Sequence, residues 1–123
     1  MRIDLLEAFG LDPNVIAILK EKYGAELLPI QERAFKEHQI LNGGNFLLSA
    51  VTSSGKTLVG EILALHYGSK GKRVFYLVPT KALAEEKFEQ FHEDYEKAGI
   101  QTVISTHDRR EYDERIEGRR FHI

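Results

Sequence analysis

The stretch Ser49-Ala50-Val51-Thr52-Ser53-Ser54-Gly55-Lys56-Thr57 constrains this chain more than any other. An apolar run, Phe46-Leu47-Leu48, precedes it, and an amphipathic one, Leu58 to Tyr67, follows. The order is strand, tight loop, helix, with Gly-Lys-Thr at the helix start. Phosphate-binding loops are built this way. Successive backbone N–H groups point inward, and the positive end of the helix dipole adds to their field. On this reading Thr52 to Gly55 line the nucleotide, with the N–H groups of Ser53, Ser54 and Gly55 on phosphate. Lys56 reaches the β and γ phosphates, and the Thr57 hydroxyl ligates Mg²⁺. The implied ligand is a nucleoside triphosphate. The strict pattern, G-x-x-x-x-G-K-[ST], has glycine where Ala50 stands. A plain strand-turn-helix with an exposed lysine is the competing reading of this segment.

The bulk composition fits one domain of ordinary size. The 123 residues are 42% hydrophobic, enough for a core, and 29% charged with mixed signs. A net charge of −2 advertises no global basic field, although a local patch could still serve nucleic acid. The absence of cysteine excludes disulfides and thiolate metal sites. No apolar run reaches membrane-spanning length, and the first apolar segment, from Met1 to Glu7, carries acids unlike a signal peptide. The chain reads as soluble and cytoplasmic.

Residues 1–45 read as a helical segment. Asp4 to Phe9 forms a short helix closed by Gly10. Asp12 caps a second helix with Pro13 at its first position. Val15, Ile16, Leu19 and Tyr23 share its apolar face, and Gly24 ends it. Pro29 opens a third, with a stripe of Ala34, Phe35, His38 and Leu41. Residues 46–123 read as an α/β core. Val74 to Val78 is a continuous apolar run, as expected of a strand buried on both faces. Thr80 caps a helix whose stripe is Ala84, Phe88, Phe91 and Tyr95. Thr102-Val103-Ile104 is a further strand, Asp108 to Arg120 is partly helical, and Phe121-His122-Ile123 begins another strand. Alternating strands and helices predict a parallel sheet with right-handed crossovers. An apolar terminus predicts a fragment of a longer protein.

Three segments, in this order and spacing, resemble the first RecA-like domain of superfamily 2 helicases, the group of the DEAD-box and DExH-box families. Leu28-Pro29-Ile30-Gln31 resembles the Q motif, Ala50 to Thr57 resembles motif I, and Val78-Pro79-Thr80-Lys81-Ala82-Leu83-Ala84 resembles motif Ia. These helicases commonly write motif I as A-x-T-G-x-G-K-T, which accounts for Ala50. Ser105-Thr106-His107-Asp108 sits where a Thr-Gly-Asp triplet often occurs. The resemblance covers Leu28 to Ile123. It implies an α/β fold: an incomplete RecA-like P-loop NTPase lobe, a parallel sheet flanked by helices. It implies ATP and Mg²⁺ as cofactors, with Gln31 reading the adenine edge. It implies single-stranded DNA or RNA as partner, contacted at Thr80, Lys81 and Thr106.

Two departures bear on activity. Ser53 replaces a glycine usual in motif I. If that backbone is left-handed, serine costs roughly 1–2 kcal/mol there. No Asp-Glu-x-Asp/His motif occurs, and the arginines of a second lobe are absent too. Phosphoryl transfer depends on positioning and charge stabilisation, so the intact parent is expected to be an ATP-dependent helicase and this fragment inactive. The rival readings are another P-loop NTPase or kinase fragment, and a non-enzymatic interaction domain on a decayed P-loop.

Overall fold

The computed structural model describes residues 1–51 and 55–123, which divide into two compact units, Met1–His66 and Tyr67–Ile123.

In the first unit a 3₁₀ helix, Ile3–Phe9, ends at Gly10, whose φ of 96° is left-handed. An antiparallel bridge between Arg2 and Glu26 ties the start of the chain to the loop after the next helix. That helix, α1 (Pro13–Tyr23), begins where expected: the Asp12 carboxylate accepts from the Asn14 N–H at 2.7 Å, and proline occupies the first position. Its inner face buries Val15, Ile16, Ile18 and Leu19. Tyr23, expected on that face, is instead 42% exposed, with its hydroxyl bound to Glu61 at 2.7 Å.

The third expected helix is interrupted. α2 (Pro29–Glu32) runs into a π-helical turn, Arg33–Glu37, in which the His38 N–H reaches back to the Arg33 carbonyl at 3.0 Å. Gln39 then turns left-handed (φ 49°), and a short 3₁₀ turn, Ile40–Asn42, follows. The extra residue in the π turn changes the direction of the residue that follows it. His38 therefore leaves the apolar stripe and is exposed, while Ile40 enters the core beside Ala34, Phe35 and Leu41. α3 (Lys56–Ser69) buries Leu58, Val59, Ile62 and Leu65 along one side.

In the second unit α4 (Lys81–Tyr95) starts at Thr80, whose hydroxyl accepts from the Leu83 N–H at 3.1 Å. Phe88, Phe91 and Tyr95 are buried as the spacing predicts, while Ala84 of the same expected stripe is only half-buried. A 3₁₀ turn, Glu96–Ala98, ends at left-handed Gly99. A short helix, α5 (Asp113–Glu117), precedes the final segment.

Among the described residues no segment forms a regular strand. The end of the chain comes nearest to sheet pairing. The Val74 N–H donates to the His122 carbonyl (2.8 Å), the His122 N–H to the Gln101 carbonyl (2.9 Å), and the Val103 N–H to the Ile123 carbonyl (2.9 Å). Residues 122–123 thus lie between two extended segments. The run Val74–Val78 alternates: Val74, Tyr76 and Val78 are half-buried, while Phe75 and Leu77 are 70% and 88% exposed. The sequence predicts burial on both faces, and only one is covered. Tyr76 meets Phe91 of α4 edge-on at 5.5 Å. A parallel strand is held by its neighbours and has no hydrogen bonds of its own. Leu47 of the first unit is likewise 96% exposed.

Candidate functional site

The start of α3 is gripped by the turn that opens α2. Gln31 is the third residue of α2 and is 3% exposed. Its side-chain Oε1 accepts from the Leu28 N–H at 2.8 Å, the reach-back to an N-cap that often secures a first helical turn. Its Nε2 donates to the Gly55 carbonyl at 3.0 Å. A donor on one side and an acceptor on the other fix which way the amide points. Gln31 therefore links the segment resembling the Q motif to the loop resembling motif I.

Gly55 is required there on two counts. Its φ is +90°, and a Cβ would stand 2.5 Å from Gln31 Nε2 and 2.7 Å from Leu28 Cδ1. Lys56, the first residue of α3, folds back so that its Nζ donates to the Ala50 carbonyl at 3.0 Å. The ammonium is thus bonded to the residue at which the motif I segment begins. Lys56 and Thr57 are both exposed. Lys56 also lines a cavity of about 480 Å³ within the first unit, walled by Ile30, Ala34, Phe46, Val59 and Leu63. The expected phosphate contacts of Thr52, Ser53 and Ser54 lie outside the described residues.

Thr57 offers one hydroxyl oxygen to a metal. Among the described residues no group of three or more His, Asp and Glu could hold an ion. That donor set fits Mg²⁺ carried by a nucleotide, which takes most of its oxygens from phosphate and water. It does not fit a cation caged by protein alone.

One turn further along α3 stands a residue that the motif reading passed over. Glu61 is 2% exposed, with Lys22 Nζ at 3.2 Å from Oε1 and Tyr23 OH at 2.7 Å from Oε2. Burial, and then the hydrogen bond to Glu61, hold the Tyr23 phenol above its ordinary pKa, so it stays a donor. The available signal was an acid four residues after Thr57 inside an apolar helix face.

In the second unit Thr80, Lys81 and Thr106 line one groove of about 650 Å³. The Thr106 hydroxyl accepts from the N–H groups of Asp108 (3.3 Å) and Arg109 (3.0 Å), which makes it the staple of a tight turn. That turn presents Asp108 to Lys81, and the two pair at 2.8 Å. Arg109 braces the turn against α4. Its guanidinium meets Glu85 at 2.6 Å and Glu111 at 2.6 Å, and lies 5.0 Å above the Phe88 ring. These carboxylates hold the Arg109 pKa above its ordinary value. Glu111 is lowered, first by a backbone hydrogen bond of its own and then by Arg109.

The structure thus brings Gln31, Gly55 and Lys56 together in one unit, and Thr80, Lys81 and Thr106 together in the other. Gly55-Lys56-Thr57 at the start of α3, with Gly55 bonded to a glutamine-bearing turn, fits a P-loop nucleotide-binding class. The family model for DEAD/DEAH box helicases matches residues 28–123, and the chain belongs to that family. Membership carries a RecA-like fold. Among its relatives is the ATP-dependent DNA helicase Hel308 of Methanocaldococcus jannaschii, 36% identical over 116 residues. That match takes in 89% of this chain and 10% of the relative. The Hel308 of Pyrococcus horikoshii is 40% identical over 114 residues, 92% of this chain and 16% of the relative. A DExH-box ATP-dependent RNA helicase of Arabidopsis thaliana, DExH15 chloroplastic, is 37% identical over 91 residues, 74% of this chain and 8% of the relative. The chain therefore spans a small part of the relatives it matches. Among the described residues no helix is long and apolar enough to cross a membrane.

Proposed function

We propose that this chain is the ATP-binding portion of a superfamily 2 nucleic-acid helicase. The observation that carries the reading is the tie from Gln31 to Gly55, which joins the first two of the three matching segments. Lys56 is the ligand of the β and γ phosphates. On binding, its ammonium exchanges the Ala50 carbonyl for phosphate oxygens of opposite charge, a stronger hydrogen bond. Thr57 ligates Mg²⁺, and Thr52, Ser53, Ser54 and Gly55 cradle the phosphates. Gln31 reads adenine with the second N–H and second lone pair that its amide carries beyond its two structural bonds. The lobe is a parallel sheet flanked by helices, with residues 46–48, 74–78 and 102–104 as strands.

Single-stranded DNA or RNA is the partner, with Thr80, Lys81 and Thr106 on its phosphates. The Thr80 and Thr106 oxygens accept backbone bonds, and each hydroxyl hydrogen still has a direction in which to donate. Lys81 must give up Asp108 to engage a phosphate. ATP supplies the free energy for strand separation. Hydrolysis calls for an acidic motif and a second lobe, which these 123 residues do not contain.

Calorimetric titration of the chain with Mg·ATP tests the reading. Binding should occur, and Lys56→Ala should weaken it by about tenfold or more. Unchanged affinity in Lys56→Ala would refute it. Turnover should be negligible with or without single-stranded nucleic acid.

A further inference from the structure

The Lys22–Glu61–Tyr23 cluster poses a question that the nucleotide site does not answer. A carboxylate with 2% exposure sits on a helix face otherwise occupied by Leu58, Ile62 and Leu65. Burying a charge and its partner is a poor way to gain stability, because well-packed apolar residues usually do as well. What such a pair does supply is direction. Hydrogen bonds to both carboxylate oxygens fix a helix in rotation and along its axis, where apolar contacts tolerate sliding.

The location decides which group that direction serves. Glu61 follows Thr57 by four residues, so the two stack on one face of α3, roughly 6 Å apart along the axis. Lys22 and Tyr23 are the last two residues of α1. The end of α1 therefore holds α3 one turn below the residues that meet phosphate. The Gln31 bond to Gly55 holds the same helix from the other side of Lys56.

We infer that Glu61 is a positioning residue for the nucleotide: anchored by Lys22 and Tyr23, it sets where Lys56 and Thr57 stand. The inference rests on the nucleotide reading above. It predicts that breaking the cluster costs phosphate affinity out of proportion to stability.

The test measures binding of a fluorescent ATP analogue with Mg²⁺, each variant being held well below its own melting transition. Glu61→Ala should weaken binding by about tenfold or more, since displacements of an ångström in a phosphate site carry costs of that order. Glu61→Gln keeps an acceptor for the Tyr23 hydroxyl and should lose less than about threefold. Leu11→Ala, a cavity beside the opposite end of α1, should lower the melting temperature and leave affinity within about twofold. A purely structural Glu61 would behave like Leu11. Glu61→Ala with wild-type affinity, while Lys56→Ala still abolishes binding, would overturn the positioning role and leave the ATP site standing. Absence of binding by the unmutated chain would remove both. If Glu61→Ala does not fold, Tyr23→Phe decides. It deletes the hydrogen bond to Glu61 and almost no volume, a loss of about threefold or more supports the role, and no loss refutes it.

Discussion

Gly55→Ala is the sharpest perturbation of the loop, because two separate costs can be read from its surroundings. The first is backbone strain. At φ +90° an L-residue crowds its own carbonyl, at about 1–2 kcal/mol. The second is the new methyl, 2.5 Å from Gln31 Nε2 and 2.7 Å from Leu28 Cδ1. Gln31 must withdraw, breaking its 3.0 Å bond to the Gly55 carbonyl inside a site where it is 3% exposed. Stranding a buried amide in this way costs about 1–3 kcal/mol. Together the expected destabilisation is about 2–5 kcal/mol. Gly24 supplies the control. It lies in the same unit at φ +89°, but a Cβ there meets nothing within 4 Å. Gly24→Ala should therefore pay strain alone. Urea unfolding of both variants, compared at constant slope, isolates the contact term as their difference. If Gly55→Ala were no less stable than Gly24→Ala, the coupling of Gln31 to the loop would be refuted.

Other expectations follow from the same contacts. Gln31→Ala should weaken ATP more than GTP in competition titrations, and equal loss would show that the amide does not read the base. Asp108→Asn releases Lys81 and should raise affinity for single-stranded oligonucleotide at low salt, whereas Lys81→Ala should reduce the slope of log affinity against log salt by about one phosphate contact. Tyr23 should titrate above its usual value of about 10 by ultraviolet absorbance, and Glu61→Gln should bring it down part of the way, burial remaining. Because the folded pKa is the higher one, the stability linked to Tyr23 is whole below pH ~10 and declines as pH rises through the folded value. Asp4, lowered by Lys20, and Glu111 work in the opposite direction. Their contribution stands above about pH 4–5 and is lost as pH falls through the folded values.

Local chemistry in the sequence was enough to locate α1, α4 and the start of α3. Asp12-Pro13 and Thr80 act within a turn of where they stand, so their caps need no distant partner, and Gly55-Lys56 marks a helix start by residue type alone. What lay beyond the sequence depended on groups far apart along the chain. Periodicity gave His38 to the core, and a π turn at Arg33–Glu37 took it out, since one added residue turns the side chain that follows. Apolar runs announced strands, but a strand is completed by its neighbours, and Phe75 and Leu77 remain exposed on the face that has none. Gln31 was legible as a candidate for adenine, yet its bond to Gly55 spans 24 positions, and only folding joins them. Glu61 belongs to none of the motif segments. Its partners lie 38 and 39 positions earlier, and tertiary packing alone turned it into a buried anchor.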